Sequence, residues 1–388
     1  MSTLKVDGIR SNSASSDAIT LANDGTCTAN ITNKPNRNLI INGAMQVAQR
    51  GTSSTSLYYQ TIDRFRTSFG NIGSINLTQS QQQLASSDTP YSNGFRYFYR
   101  AALSGAGTVN TNGYIGISQR LEAQDVAQSG WDYTSSSSNI TIQFWFRCST
   151  NQTFYMALRS QDGTSQSYVF PFTASGNNTW TKITKTISGA ANVQFDLNNE
   201  RGLTVSFIPW YGTDYTGSKA VNQWSAYSGS AEYPDYASTW LTAGASTFDI
   251  TGVQLEVSDH ATSFEFLSFA DELRRCQRYF FNIKGNTGSR SGIAAYANSS
   301  SSLRAMVQFP VPMRAIPTFS GTATAMIMDS SDDSDSFNIS GFANGGAPTT
   351  SNPSRMCIDI GTGGMTAGQG GQLEFRANNG EMKFDSEL

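Results

Sequence analysis

Residues 248–281 constrain the fold more than any other stretch, because their apolar spacing changes from the period of a strand to that of a helix. Val253, Leu255 and Val257 alternate with Gly252, Gln254 and Glu256, the period of two that gives a strand one buried face. A core strand is expected there. Phe264 and Phe266 repeat the alternation after the polar break 258–261, which predicts a turn and a second short extended piece. From Phe269 the apolar residues Phe269, Leu273, Cys276 and Phe280 fall at helical spacing, with acids and arginines between them, so one amphipathic helix is predicted over 268–281. Ser268 is its N-cap, Asp271 and Glu272 lie in the first turn, and Asp271 stands three and four residues before Arg274 and Arg275.

The remainder reads as β-structure. Runs 39–45, 62–68, 75–80, 95–103, 113–121, 140–148, 153–159, 167–172, 179–187 and 203–209 alternate or are rich in β-branched and aromatic residues between turn clusters. In 140–147, Ile140, Ile142, Phe144 and Phe146 define one apolar face and leave Trp145 and Arg147 on the other. Only 14% of residues are charged, too few for long solvated helices, and the chain is expected to be all-β. Its 388 residues suit two or three domains. Asp63, Arg64 and Glu256 are expected to form a buried ion pair at a corner of the first sandwich. Cys27, Cys148, Cys276 and Cys357 are far apart in sequence, with no C-x-x-C pair, and read as small buried hydrophobes.

Several chemistries are disfavoured. The formal net charge is −3 without a Lys/Arg run, so no nucleic-acid partner is expected. No apolar run approaches the length of a bilayer crossing and residues 1–7 lack a signal-peptide core, which predicts no membrane insertion and a chain made and kept in a cytosol. His260 is the only histidine and no Gly-x-Ser-x-Gly elbow occurs, so a serine hydrolase is disfavoured and His260 is read as capping a turn. The glycine-rich stretches 341–346 and 361–371 do not lead from a strand into a helix, and no cofactor is expected. Asp63, Asp162, Asp196, Asp214 and Asp235 are available for hydrolysis, but spacing marks no two as a pair. The acidic run 329–335 lacks the glycine and terminal glutamate of a helix-loop-helix calcium site. It reads as a solvated loop, cation binding being the alternative, and no metal site is expected.

The motifs 250–257, 262–266 and 272–279, with 38–51 and the Asp63-Arg64-Phe65 corner that ends 59–65, resemble the two ends of a family of bacteriophage virion proteins, the tail fibres and related host-recognition proteins. The resemblance implies a jelly-roll β-sandwich like that of carbohydrate-binding modules over 37–282, closed by the helix 268–281. It implies an extended virion-attachment segment at 1–36 that docks on a phage tail protein, the alternative there being a disordered leader. A turn-rich linker, 282–292, then leads into a second small β-sandwich, a distal domain, within 283–388. It further implies a non-enzymatic homotrimer on the virion tail, assembled in the host cytoplasm, that binds host surface polysaccharide during adsorption. The alternatives are a capsid head fibre or decoration protein, and a polysaccharide-degrading tail enzyme.

For such a ligand, 209–240 is the densest aromatic stretch. Flat rings stack on the C–H face of a sugar while short polar side chains bind its hydroxyls. The candidates are Trp210, Tyr211, Tyr215, Trp224 and Tyr227, with Asp214 and Asn222 as hydroxyl partners. The competing reading is that these rings pin a long loop to the sandwich or to a neighbouring subunit. A competing receptor site is the distal module near Asp332 and Asn344.

Overall fold

A computed structural model describes residues 5–15, 17–29, 36–286, 289–322, 326–330, 336–338, 341–342, 352–375 and 380–388. The acidic residues 331–335 and the distal-loop positions Asp332 and Asn344 lie outside them. The chain is mostly β, in several antiparallel sheets. Strands β1 (Gly8–Ile9), β2 (Ile19–Leu21) and β3 (Cys27–Ala29) form a small sheet near the N-terminus. Its residues Ile9 and Leu21 are exposed, so it buries little apolar surface by itself.

Twelve strands follow in 53–257. They are β4 (Ser53–Ser54), β5 (Arg66–Gly70), β6 (Leu77–Gln83), β7 (Tyr97–Leu103), β8 (Tyr114–Glu122), β9 (Asn139–Cys148), β10 (Phe154–Ser160), β11 (Gln166–Phe172), β12 (Thr181–Ser188), β13 (Arg201–Tyr211), β14 (Trp224–Ala226) and β15 (Thr247–Val257). Two six-stranded sheets result, in the orders β14-β11-β10-β13-β8-β5 and β12-β9-β15-β7-β6-β4. Their inner faces share one core, in which Phe144 of one sheet meets Phe207 of the other at 4.9 Å between ring centres. The alternation expected in β9 is present, with Ile140, Ile142, Phe144 and Phe146 all fully buried. Short helices α1 (Thr89–Ser92), α2 (Ala123–Ala127) and α3 (Thr239–Thr242) lie in the connections.

The core strand β15 sits between β9 and β7 and is buried on both faces rather than one. Asp249 takes two guanidinium groups, Arg100 at 2.8 Å and Arg147 at 2.9 Å. Glu256 accepts the Thr262 backbone N–H at 2.9 Å and pairs with Arg37 at 3.5 Å. Polar residues are thus tolerated inside because each is bonded. Gly252 is at φ +63, where β15 shifts register against β9, and a Cβ there would come 2.7 Å from the Phe95 ring.

Helix α4 (Phe269–Gln277) begins as expected, with the Ser268 hydroxyl accepting from Asp271 N–H at 3.2 Å. It ends earlier than the spacing predicts. Phe280 and Phe281 open strand β16 (Phe280–Gly285), which pairs with β25 (Gly380–Asp385), so tertiary pairing overrides the local period. Phe269 is exposed, and the helix buries Glu272 and Cys276 instead. The ion pair along it is Glu272 with Arg275 at 3.9 Å.

The expected strand 39–45 is a chain of turns. Asn42 and Met45 have φ of 61° and 60°, left-handed values that break a strand. Side-chain amides replace its ladder. Gln119 exchanges two 2.8 Å bonds with the Ile41 backbone, and buried Asn42 donates to the carbonyls of Val47 and Asp63. The expected pairing of Asp63, Arg64 and Glu256 is also corrected. All three are buried, but Glu256 faces Arg37, Arg64 pairs with Glu387, and Asp63 accepts from the Gln49 backbone and amide. Three cysteines are buried as expected, whereas Cys27 is exposed. His260 contacts Asp259 at 2.6 Å on the surface.

Downstream, β16, β25 and β19 (Thr318–Gly321) form one sheet. Strands β17 (Ser289–Ser299), β18 (Ser302–Gln308), β20 (Met326–Ser330), β21 (Ser336–Asn338), β22 (Gly341–Phe342), β23 (Arg355–Gly361) and β24 (Gly370–Phe375) form another. The two share a core that includes Leu303, Ile358, Leu373, Met382 and Phe384. Among the described residues no helix is long and apolar enough to cross a membrane.

Burial pushes the Asp63 carboxyl up to about 6, against the opposing pull of Arg50 and Gln49. A carboxyl raised on folding binds its proton more tightly in the native state. Its contribution is therefore largest below the unfolded value and is lost as pH rises through the folded one. Wild-type stability should fall by roughly 2–3 kcal/mol relative to Asp63→Asn between about pH 4 and pH 6.5. Urea unfolding of both proteins at the two pH values measures this, and parallel profiles would refute it.

Candidate functional site

The outer face of the β14-β11-β10-β13-β8-β5 sheet holds the candidate site. Strand register lays out its rows. Arg66 of β5 stands opposite Ser118 of β8, then Ser206 of β13, Ala157 of β10 and Val169 of β11. The next row runs Arg120, Thr204, Arg159, Ser167 and Ser225. A register shift between Arg201 and Leu203 leaves Arg201 on this same face.

The loop 212–238 folds back over part of the face. Tyr233 is buried against Ala157, Val169 and Ile208, and Tyr236 donates to the Ile208 carbonyl at 3.3 Å while its ring meets Tyr155 at 5.0 Å. The loop is bonded to itself by Thr216 to Asp235 at 2.7 Å and Glu232 N–H to the Tyr215 carbonyl at 2.8 Å. What it leaves open is a cavity of about 160 Å³. Ser118, Thr204 and Ser206 make its floor, and Arg66, Arg120, Arg159, Arg201, Tyr211, Tyr227 and Glu232 surround it.

Local electrostatics are set by burial. Tyr227 donates to Glu232 at 2.8 Å. Burial first, then this bond, pushes the Tyr227 phenol up to about 12, and burial also raises the Glu232 carboxyl. The Arg159 guanidinium lies 3.1 Å from the centre of the Tyr227 ring and donates to the Ser165 hydroxyl at 3.1 Å. Ser167 Oγ, on the cavity wall, is buried with no hydrogen-bond partner. Among the described residues no group of three or more His, Cys, Asp or Glu side chains could hold a metal.

The sequence candidates are distributed unevenly around this cavity. Tyr211 and Tyr227 line it. Trp210 does not: it is 2% exposed and packed in the sandwich core, and a ring with no free face cannot stack on a sugar. Trp224 turns toward the core edge, 5.7 Å from Tyr168 and 6.5 Å from Trp131, with its indole N–H on the Ser188 carbonyl at 2.8 Å. Tyr215 packs edge-on against Tyr211 and Tyr114. Asp214 and Asn222 are exposed, and Asn222 is at φ 59° with its N–H on the Val169 carbonyl, a turn position. Tyr215 and Trp224, with Tyr233 and Tyr236, therefore pin the loop. The four arginines were missed because each is simply the polar residue at one end of an alternating strand. Only the pairing order puts them side by side.

No family model and no curated relative matches the sequence. Among solved structures the chain is similar to the enzymatically active domain of tailspike protein 4 of bacteriophage CBA120, at 11% identity and TM-score 0.30, covering 58% of this chain and 22% of that one. It is similar to a family 11 carbohydrate-binding module of a Clostridium thermocellum cellulosomal cellulase, at 11% identity and TM-score 0.27, covering 53% and 95%. It is also similar to the N-terminal cellulose-binding domain of Cellulomonas fimi β-1,4-glucanase C, at 10% identity and TM-score 0.27, covering 55% and 98%. Likenesses of this strength carry no ligand or activity across.

Core and cavity roles separate by mutation. Trp210→Ala should cost about 3–5 kcal/mol by leaving a core cavity, with a visibly lower thermal midpoint. Tyr227→Ala, at the half-buried rim, should cost clearly less. Equal losses in calorimetry would return Trp210 to the surface set.

Proposed function

We propose that this chain is a non-enzymatic saccharide-binding protein. It holds one sugar ring in the open half of the outer sheet face, between the 212–238 loop and the Arg66 edge. The observation that carries the reading is the cavity itself, with a hydroxyl floor and guanidinium and phenol walls. Such a set offers directed hydrogen bonds to a ring rich in hydroxyls. Among the described residues Glu232 is the one carboxylate lining it, whereas glycoside hydrolysis uses two carboxylates about 5–9.5 Å apart. Binding is thus favoured over cleavage.

The resemblance at 38–65 and 250–279 extends the proposal to a phage tail fibre or spike with a jelly-roll sandwich, homotrimeric, joined to the tail through 1–36 and recognising host polysaccharide. One shallow site is weak, and repeated copies on a virion supply the working affinity.

Ser206→Trp fills the cavity from its floor. It should abolish binding of any saccharide retained on a glycan array while leaving the unfolding midpoint within error; binding that survives in the folded variant would overturn the site. Immunogold electron microscopy should place the protein on the tail, and label on capsid faces would favour a head fibre. Light scattering should give three times the chain mass, and a mass near one chain would refute the trimer.

A further inference from the structure

We infer that the saccharide taken by this cavity is anionic, a sugar unit carrying a carboxylate or phosphate group that the Arg66, Arg120, Arg159 and Arg201 guanidinium groups hold. This inference rests on the saccharide-binding reading above and adds the charge of the ligand.

The chain as a whole has an excess of acids, with a net charge of −3, yet this face carries four guanidinium groups around one carboxylate, Glu232. Arg66, Arg159 and Arg201 make no ion pair with a described residue. Arg66 lies over the Tyr58 ring at 4.0 Å, and Arg201 donates to the Gln161 amide oxygen at 2.9 Å. Arg120 differs from these three in donating to the main-chain oxygen of Leu388, the last residue, and the neighbouring Glu387 is taken up by Arg50 and Arg64. Arg159 uses Ser165 and the Tyr227 ring. Elsewhere in the sandwich the half-buried arginines do find acids, as Arg100 and Arg147 find Asp249 and Arg278 finds Glu122 at 2.6 Å. The missing counter-charge is therefore local to the cavity.

Geometry agrees. Arg120 and Arg159 flank Thr204 on adjacent strands of one row, which separates their Cα atoms by about 10 Å at two strand spacings. Their forked donors can converge on one oxyanion held above the Thr204 and Ser206 hydroxyls. Arg66 and Arg201 have their proton affinity lowered, by burial first and then by neighbouring arginines. Ring stacking is a weaker alternative here, because Arg159 already covers one face of Tyr227.

The experiment is titration calorimetry of the full chain with matched oligosaccharides: oligogalacturonate, its neutral methyl ester, and a phosphorylated and an unphosphorylated mannose oligomer, with inorganic phosphate as the free anion. An acidic member should bind at least tenfold tighter than its neutral partner, and the preference should weaken as salt rises from 50 to 200 mM. The carboxylate and phosphate arms tell which oxyanion is used. Arg159→Gln and Arg66→Gln, each checked for a wild-type unfolding transition, should each lose at least tenfold for the acidic ligand only. Arg159→Lys should recover part of the loss. Equal binding of neutral and acidic members, blocked by Ser206→Trp, would overturn the charge inference and leave the saccharide site standing. Binding of phosphate alone, or of no saccharide at all, would overturn both.

Discussion

Arg64 is a full charge with no solvent exposure, and its compensation comes from three distant places in the chain. Its guanidinium pairs with Glu387, lies 3.4 Å from the centre of the Tyr279 ring, and donates to the Arg120 carbonyl. Its backbone sits at φ 71°, a conformation that persists only where the surroundings fix it. Removing one partner from a buried pair leaves an uncompensated charge worth about 3–5 kcal/mol. The Asp63-Arg64-Phe65 corner, the residues after α4 and the last residues of the described chain are therefore coupled. A truncation after 282 would remove Glu387 and the β16–β25 pairing together, so loss of binding in such a truncation would not locate a ligand site.

That coupling also shapes the cavity. The arginine that Arg64 touches through its carbonyl is Arg120, whose own side chain lies on the outer face and is steadied by Leu388. Acids that stand near the face are committed to other arginines. Glu122 faces Arg278 and Tyr279, and Glu387 faces Arg64 and Arg50. Glu122 and Glu387 thus have partners of their own, which leaves Glu232 as the carboxylate among the described residues lining the cavity.

The 212–238 loop is the other constraint. It covers the apolar part of the outer face, where Val169 and Ile208 lie, with Tyr233 and Tyr236, and stops at the row of Arg120 and Arg159. A loop poor in charge but rich in rings is suited to this, because each ring contributes burial while the hydroxyl still finds a carbonyl or carboxylate. The same aromatic density that suggested a stacking platform thus serves mainly to hold the wall of a cavity whose donors come from the sheet.

The sequence by itself determined the strands. Period-two patterning placed β8, β9, β10, β11, β13 and β15 close to their observed bounds, because a sandwich core needs one apolar face on every strand. The N-terminus of α4 was equally legible, since the Ser268 cap is a local contact. Where local pattern and tertiary bonding disagreed, tertiary bonding decided. Asn42 and Gln119 turned an apparent strand into buried turns, the β16–β25 pairing ended α4 at Gln277, and the core took Trp210. The site belongs to the second class for the same reason. Arg66, Arg120, Arg159 and Arg201 are up to 135 residues apart in number (201 minus 66), and nothing local says that β5, β8, β13 and β10 are neighbours. Sheet order is fixed by which inner faces pack best over long loops, and that packing alone brings four isolated charges to one cavity.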